Sequence, residues 1–202
     1  MTLRMTWLAA GALLLCAPAV DGGAGAEPLS NGLTDAFIRF CGSTSGDGAR
    51  ALQLADTDGW SALPPWMREM KVPSFGPAVD WTRREGRWTQ SRGVRRVLVI
   101  GTIRNPDGKQ SLSCGVTEMT PPGMQADTAA MRSALQQWVG GAPVRSEGGF
   151  AEFVYRESAG RRTPLPLSQD PLASDAPTPP DVAWITLHNL PTNVSIEYAR
   201  SR

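Results

Sequence analysis

The sequence predicts an α+β domain: an antiparallel sheet of hairpins with two main helices packed on one face, held by one disulfide. Three observations predict it. Two segments carry apolar residues at helical spacing, and both end in glycine. Two other regions read as strand, turn and strand, with apolar residues alternating along each arm. Finally, Cys41 and Cys114 fall one in a helical segment and one in a hairpin, where a bridge would fasten the two layers.

The chain has 202 residues, which suits one ordinary domain, and 41% of them are apolar, enough for a real core. Twenty Lys and Arg face 19 Asp and Glu, so no global field draws the protein to nucleic acid or to an anionic membrane. One His and three Cys are too few for the common zinc frameworks, and no nucleotide, flavin or haem motif is present, so neither metal nor cofactor is expected.

Residues 1–26 read as a signal peptide: Arg4 precedes an apolar run from Leu8 to Val20, and Ala24-Gly25-Ala26 supplies small residues for cleavage. The run is too short for a span, which needs about 20 apolar residues. Cys16 sits inside it behind Leu15, a poor match to lipoprotein processing. Residues 27–202 are then a single exported domain, periplasmic or secreted.

The first helix is predicted from Leu33, Ala36, Phe37, Phe40 and Cys41, which share one face, with Ser30 or Asn31 as cap and Gly42 as stop. A Gly/Ser run, Gly42 to Gly48, follows, then short helices from Ala49 to Ala55 and from Pro64 to Met70, and a loop from Val72 to Ala78. A first hairpin is read from Val79–Arg83 and Arg87–Gln90 around Arg84-Glu85-Gly86. A second joins Val94–Arg104 to Gln110–Met119 through Asn105-Pro106-Asp107-Gly108. Its turn geometry places Ile100 opposite Cys114, Leu98 opposite Val116 and Arg96 opposite Glu118. Cys114 thus faces inward, and a bridge to Cys41 across about 70 residues stabilises by roughly 4 kcal/mol in the chain-entropy account.

Asp127 caps the clearest helix, in which Met131, Leu135, Trp138 and Val139 line one face before Gly140-Gly141. Phe150 to Glu157 reads as a strand. Residues 163–180 hold six prolines and read as an extended excursion. Asp181–Asn189 and Asn193–Ala199 form a last hairpin around Leu190-Pro191-Thr192.

Two constellations carry chemistry. In the last hairpin, pairing Asn189 with Val194 sets His188 beside Ser195 and Thr186 beside Glu197. A histidine against a serine, with a carboxylate diagonal to it, is the makings of an activated hydroxyl, and a small exported hydrolase using His188, Ser195 and Glu197 is the second reading. The first reading of that face is a polar, solvated one, because no nucleophile turn accompanies it. Gly42-Ser43-Thr44-Ser45-Gly46 has Thr at its centre and follows a helix instead of a strand, so it is a loop.

The other constellation is basic. Arg83, Arg84, Arg87, Arg92, Arg95 and Arg96 cluster around Trp81 and Trp88, with Glu85 alone opposing. Guanidinium forks recognise carboxylate and phosphate, and indoles offer a stacking face. With Arg96 expected to pair with Glu118, the residues Arg83, Arg84, Arg87 and Arg95 are left free for an anion. Trp60 and Trp66, flanking Pro64-Pro65, are expected to be packed. The functional expectation is a non-catalytic binding, inhibitory or envelope-accessory protein. Its expected partner is an acidic envelope protein or a polyanion, with no nucleic acid and no stable membrane insertion.

Overall fold

The structure is a computed structural model that describes residues 29–68, 80–104, 110–119, 126–166 and 179–201. The proposed signal peptide, the loop before position 79 and the 105–108 turn lie outside the described residues, as do residues 167–178 of the Pro-rich stretch.

Among the described residues, one antiparallel sheet of nine strands is combined with four α-helices and one disulfide. Helix α1 spans Leu29–Phe37 and runs into a π turn, Ile38–Gly42. Helix α2 is Gly48–Thr57, strand β1 is Ser61–Ala62 and helix α3 is Pro65–Arg68. Strands β2 (Asp80–Ser91), β3 (Val94–Arg104) and β4 (Gln110–Met119) follow, then α4 (Thr128–Val139). Strands β5 (Arg145–Glu147), β6 (Phe150–Ser158), β7 (Arg161–Pro164), β8 (Val182–Leu190) and β9 (Asn193–Ser201) complete the chain. The strand order is β1-β2-β3-β4-β9-β8-β6-β5, with β7 also on β6.

Local chemistry accounts for the elements. The Asp127 carboxylate accepts from the Ala130 amide at 2.9 Å, and Gly140 closes α4 at φ 84°, a conformation that only glycine adopts freely. Asp47 caps α2 in the same way, accepting from the Arg50 amide at 3.1 Å. The Thr44 hydroxyl, central to the loop that resembles a nucleophile turn, donates to the Phe40 carbonyl at 2.6 Å and serves to close the π turn. The β3–β4 register is the expected one, with Ile100 opposite Cys114, Leu98 opposite Val116 and Arg96 opposite Glu118. Leu33, Phe37, Met131 and Leu135 share one buried cluster with Leu98, Cys114 and Ile196. Through that cluster the Cys41–Cys114 bond joins the π turn to β4, with Cα atoms 5.5 Å apart.

Three expectations are corrected. The hairpin around Arg84-Glu85-Gly86 does not form; β2 runs unbroken from Asp80 to Ser91 and turns at Arg92-Gly93, where φ is 50° and 81°. Two positive φ values suit a tight hairpin loop. Gly86 is there for close approach instead of turning, since a side chain would collide with the Leu98 carbonyl and with Leu63. Thr163 and Pro164 are not part of an irregular excursion. They end β7, a short edge strand on which Pro164 lies opposite Tyr155, and an edge tolerates a residue without an N–H. Helix α1 begins at Leu29, so Ser30 and Asn31 lie within its first turn instead of preceding it.

Candidate functional site

Strand alternation decides what the arginine cluster is. In β2, Glu85 and Arg87 share the sheet face of Leu98 and Ile100, whereas Arg84, Gly86 and Trp88 share the opposite face with Val97 and Val99. The cluster therefore splits into two sets with different work. Arg87 turns to α2, where its Nε and Nη2 donate to the two Asp56 oxygens at 2.5 and 2.9 Å. That bidentate fork fastens the helix to the sheet and corrects the expectation that Arg87 is free. Arg96 donates to Glu118 at 2.7 Å, as the register predicts.

On the opposite face, the Arg95 guanidinium stands 5.8 Å from the Trp88 ring centre. No carboxylate pairs with Arg95 among the described residues, and its Nε is buried without a hydrogen-bond partner. Trp88 is half-buried against a small apolar cluster of Leu63, Met67, Val97 and Val99. Arg84 is half-buried on the same face, and burial lowers the pKa of its guanidinium. Trp66, on α3 beside that cluster, is 55% exposed, which corrects the expectation that it is packed. Trp60 does pack, edge-on to Phe40 with ring centres 4.9 Å apart. The backbone places Trp81 opposite Ile103 and Arg83 opposite Thr102 across a register shift; their side chains lie outside the description.

The second constellation assembles by register as expected, with His188 opposite Ser195 and Thr186 opposite Glu197. Its face is not solvated, however. Ser195 is 0% and Glu197 5% exposed, and this is a correction. The same face also carries Val97, Val99, Val154 and Trp184, so the sheet is apolar on both sides here. The Ser195 hydroxyl donates to Glu197 Oε1 at 3.5 Å, and no hydrogen bond joins it to His188 among the described residues. His188 packs edge-on to Phe150, with ring centres 5.3 Å apart. An activated serine needs its base within about 3.2 Å, and that contact is not made here.

Burial lowers the His188 pKa below 6.5. The unfolded chain then takes up the proton first, so stability is full above pH 6.5 and declines as pH falls through the lowered value. The wild type is expected to lose stability on mild acidification relative to His188→Gln, measured by denaturant midpoints across this range. Parallel pH profiles would contradict a half-buried histidine whose pKa burial lowers.

A cavity of about 670 Å³ lies on the other sheet face, between the start of α2 and strands β2 to β4. Asp47, Leu52, Glu85, Thr102 and Leu112 are among its walls, so it serves neither His188 nor Trp88. Among the described residues, no group of three His, Cys, Asp or Glu is placed to hold a metal ion, and no helix is long and apolar enough to cross a membrane. Comparison with protein-family models, with curated proteins and with solved structures finds no match to the chain.

Proposed function

We propose that the protein is an exported, periplasmic binding protein without catalytic activity or cofactor, inhibitory or accessory in the envelope. It captures an acidic envelope protein or polyanion on the face that carries Arg95, Trp88 and Arg84, with Arg83 and Trp81 at the neighbouring backbone positions. Its two main helices, α1 and α4, lie on the other face, a layering that their shared buried cluster with β3, β4 and β9 supports, and recognition uses the partly exposed edge around Arg95 and Trp88 on this one.

The observation that carries the reading is Arg95. A guanidinium 5.8 Å from an indole ring centre and without a carboxylate among the described residues offers its planar fork to an incoming anion. The exposed Trp66 beside the same apolar cluster adds contact area of the kind that anchors interfaces. Export is supported by the leader pattern and by the disulfide, which persists in oxidising compartments. Intact mass of the exported protein is expected to give a chain beginning at Glu27. A mass that retains residues 1–26, or a lipid-modified Cys16, would contradict soluble export.

The recognition test is capture from envelope extract with the mature protein as bait. Wild type is expected to retain an acidic partner that Arg84→Ser/Arg95→Ser loses, and capture should weaken with salt, since exposed charges are screened beyond about 8 Å at physiological ionic strength. Equal capture by both proteins, indifferent to salt, would reduce these arginines to a solvated edge.

A further inference from the structure

The cavity of about 670 Å³ beside α2 lies on the sheet face of Leu98 and Ile100, away from Trp88 and Arg95. Sites for organic molecules typically run from about 300 to 1,000 Å³, so its size is of that class. Its walls are fixed from several sides. The segment 45–48 leads into α2 and holds Ser45 and Gly46 at φ 51° and 74°. The Gly46 amide donates to the Cys41 carbonyl at 3.0 Å, and the Cys41–Cys114 bond ties that turn to β4. Gly46 and Gly48 let the segment approach the sheet. A side chain at the first would strike the Tyr198 ring, and one at the second would press on Ile100. Towards its other end, α2 is held to β2 by the Arg87 fork on Asp56. A cavity fixed in this way loses little free energy to ordering when it takes up a ligand.

The lining sets the chemistry of the guest. Leu52, Ile100 and Leu112 give an apolar wall, and Thr102 adds a hydroxyl. Among the described lining residues, Asp47 and Glu85 are the only charged ones, and both are acidic. The Asp47 carboxylate caps α2 through Oδ1, so the positive end of that helix is already answered. Glu85 lies close enough to act on Arg87, whose guanidinium is itself committed to Asp56. An anion entering here would meet two carboxylates, and a neutral molecule would gain nothing from them. A cation with an apolar body suits both parts of the lining, because a cleft with low-dielectric walls focuses the field of its charges.

We infer that this cavity binds a small organic amine, with its ammonium on Asp47 and Glu85 and its hydrocarbon body against Leu52, Ile100 and Leu112. The site is separate from the Trp88 face, so the failure of either reading leaves the other standing. The test is titration of labelled mature protein with phenethylamine, phenylethanol and phenylacetate, three probes alike in body and different in charge. Binding is followed by NMR through the methyl signals of Leu52, Ile100 and Leu112. The amine is expected to shift these methyls saturably and to bind about tenfold more tightly than the alcohol, with phenylacetate not binding. Asp47→Asn keeps a capping oxygen and Glu85→Gln keeps the shape of the side chain, so both variants should fold. Each should weaken the amine about two- to five-fold and leave the alcohol unchanged. A blocked lysine amide carries the same charge on a bare stem and should bind more weakly than phenethylamine. Tighter binding of the lysine amide would overturn a free amine as the guest. The site itself is overturned by equal affinity for amine and alcohol, by amine affinity unmoved in both variants, or by methyl signals that stay still.

Discussion

Replacing both Cys41 and Cys114 by serine is expected to cost about 2–5 kcal/mol, the range found when a native bridge is removed from a small secreted domain. Two terms add. The bond closes 73 positions of chain, so the unfolded ensemble gains much freedom when it is lost. Both cysteines are also fully buried in the cluster that joins α1 to the sheet, so two hydroxyls would replace sulfur where nothing solvates them. Cys41→Ala/Cys114→Ala removes the second term and should fall toward the lower end of the range. Urea unfolding measures both, with the slope m reporting any change in the unfolded state. A loss under about 1 kcal/mol for the serine pair would mean that the bond does not hold the π turn to β4.

Arg96→Met is expected to cost about 3–5 kcal/mol, because it leaves a buried carboxylate without its partner. Glu118 is 1% exposed, on the same sheet face as Val116 and Cys114. Burial raises its pKa above 4.5, and the Arg96 hydrogen bond and charge pull it back only in part. The sign follows from linkage. A carboxyl with a raised native pKa binds protons more readily when folded, so its charged form weighs against the fold as pH rises through that value. In Arg96→Met this burden grows. The loss should be largest at neutral pH and shrink as pH falls toward 4.5, where the carboxyl takes up a proton. Arg96→Met/Glu118→Met should recover most of the stability, as replacement of both partners of a buried pair by apolar groups does. A double variant as unstable as the single one would show that Arg96 acts through its packing on Gly32 of α1, and not through the pair.

Much of this was legible in the residues. Caps, glycine stops and the alternation of β3, β4, β8 and β9 gave helix α4, both strong hairpins and their registers. The Cys41–Cys114 pairing followed from those registers. What misled was a glycine. Gly86 reads as a turn, but it marks where Leu63 and the Leu98 carbonyl crowd β2. The true turn, Arg92-Gly93, has an arginine at positive φ, which composition does not advertise. That error merged the arginines into one patch. Read as a single strand, β2 sends Arg87 to Asp56 and keeps Arg84 and Trp88 on the other face. The burial of Ser195 and Glu197 was foreshadowed by Val97-Leu98-Val99-Ile100. A continuous apolar run marks a strand covered on both sides, and a sheet covered on both sides has no solvated face at its centre. Strands as short as β1 and β5 leave no periodicity to read.

The recognition face is tested most directly by mapping it. Isotope-labelled mature protein is titrated with inorganic polyphosphate at low salt, and the Trp88 indole N–H and the Arg84 and Arg95 Nε–H signals are followed by NMR. These signals are predicted to move together and to return when salt is added, with His188 and the cavity residues Asp47 and Glu85 unaffected. Signals that stay still, or shifts gathered around the cavity beside α2, would contradict recognition through the Trp88 face.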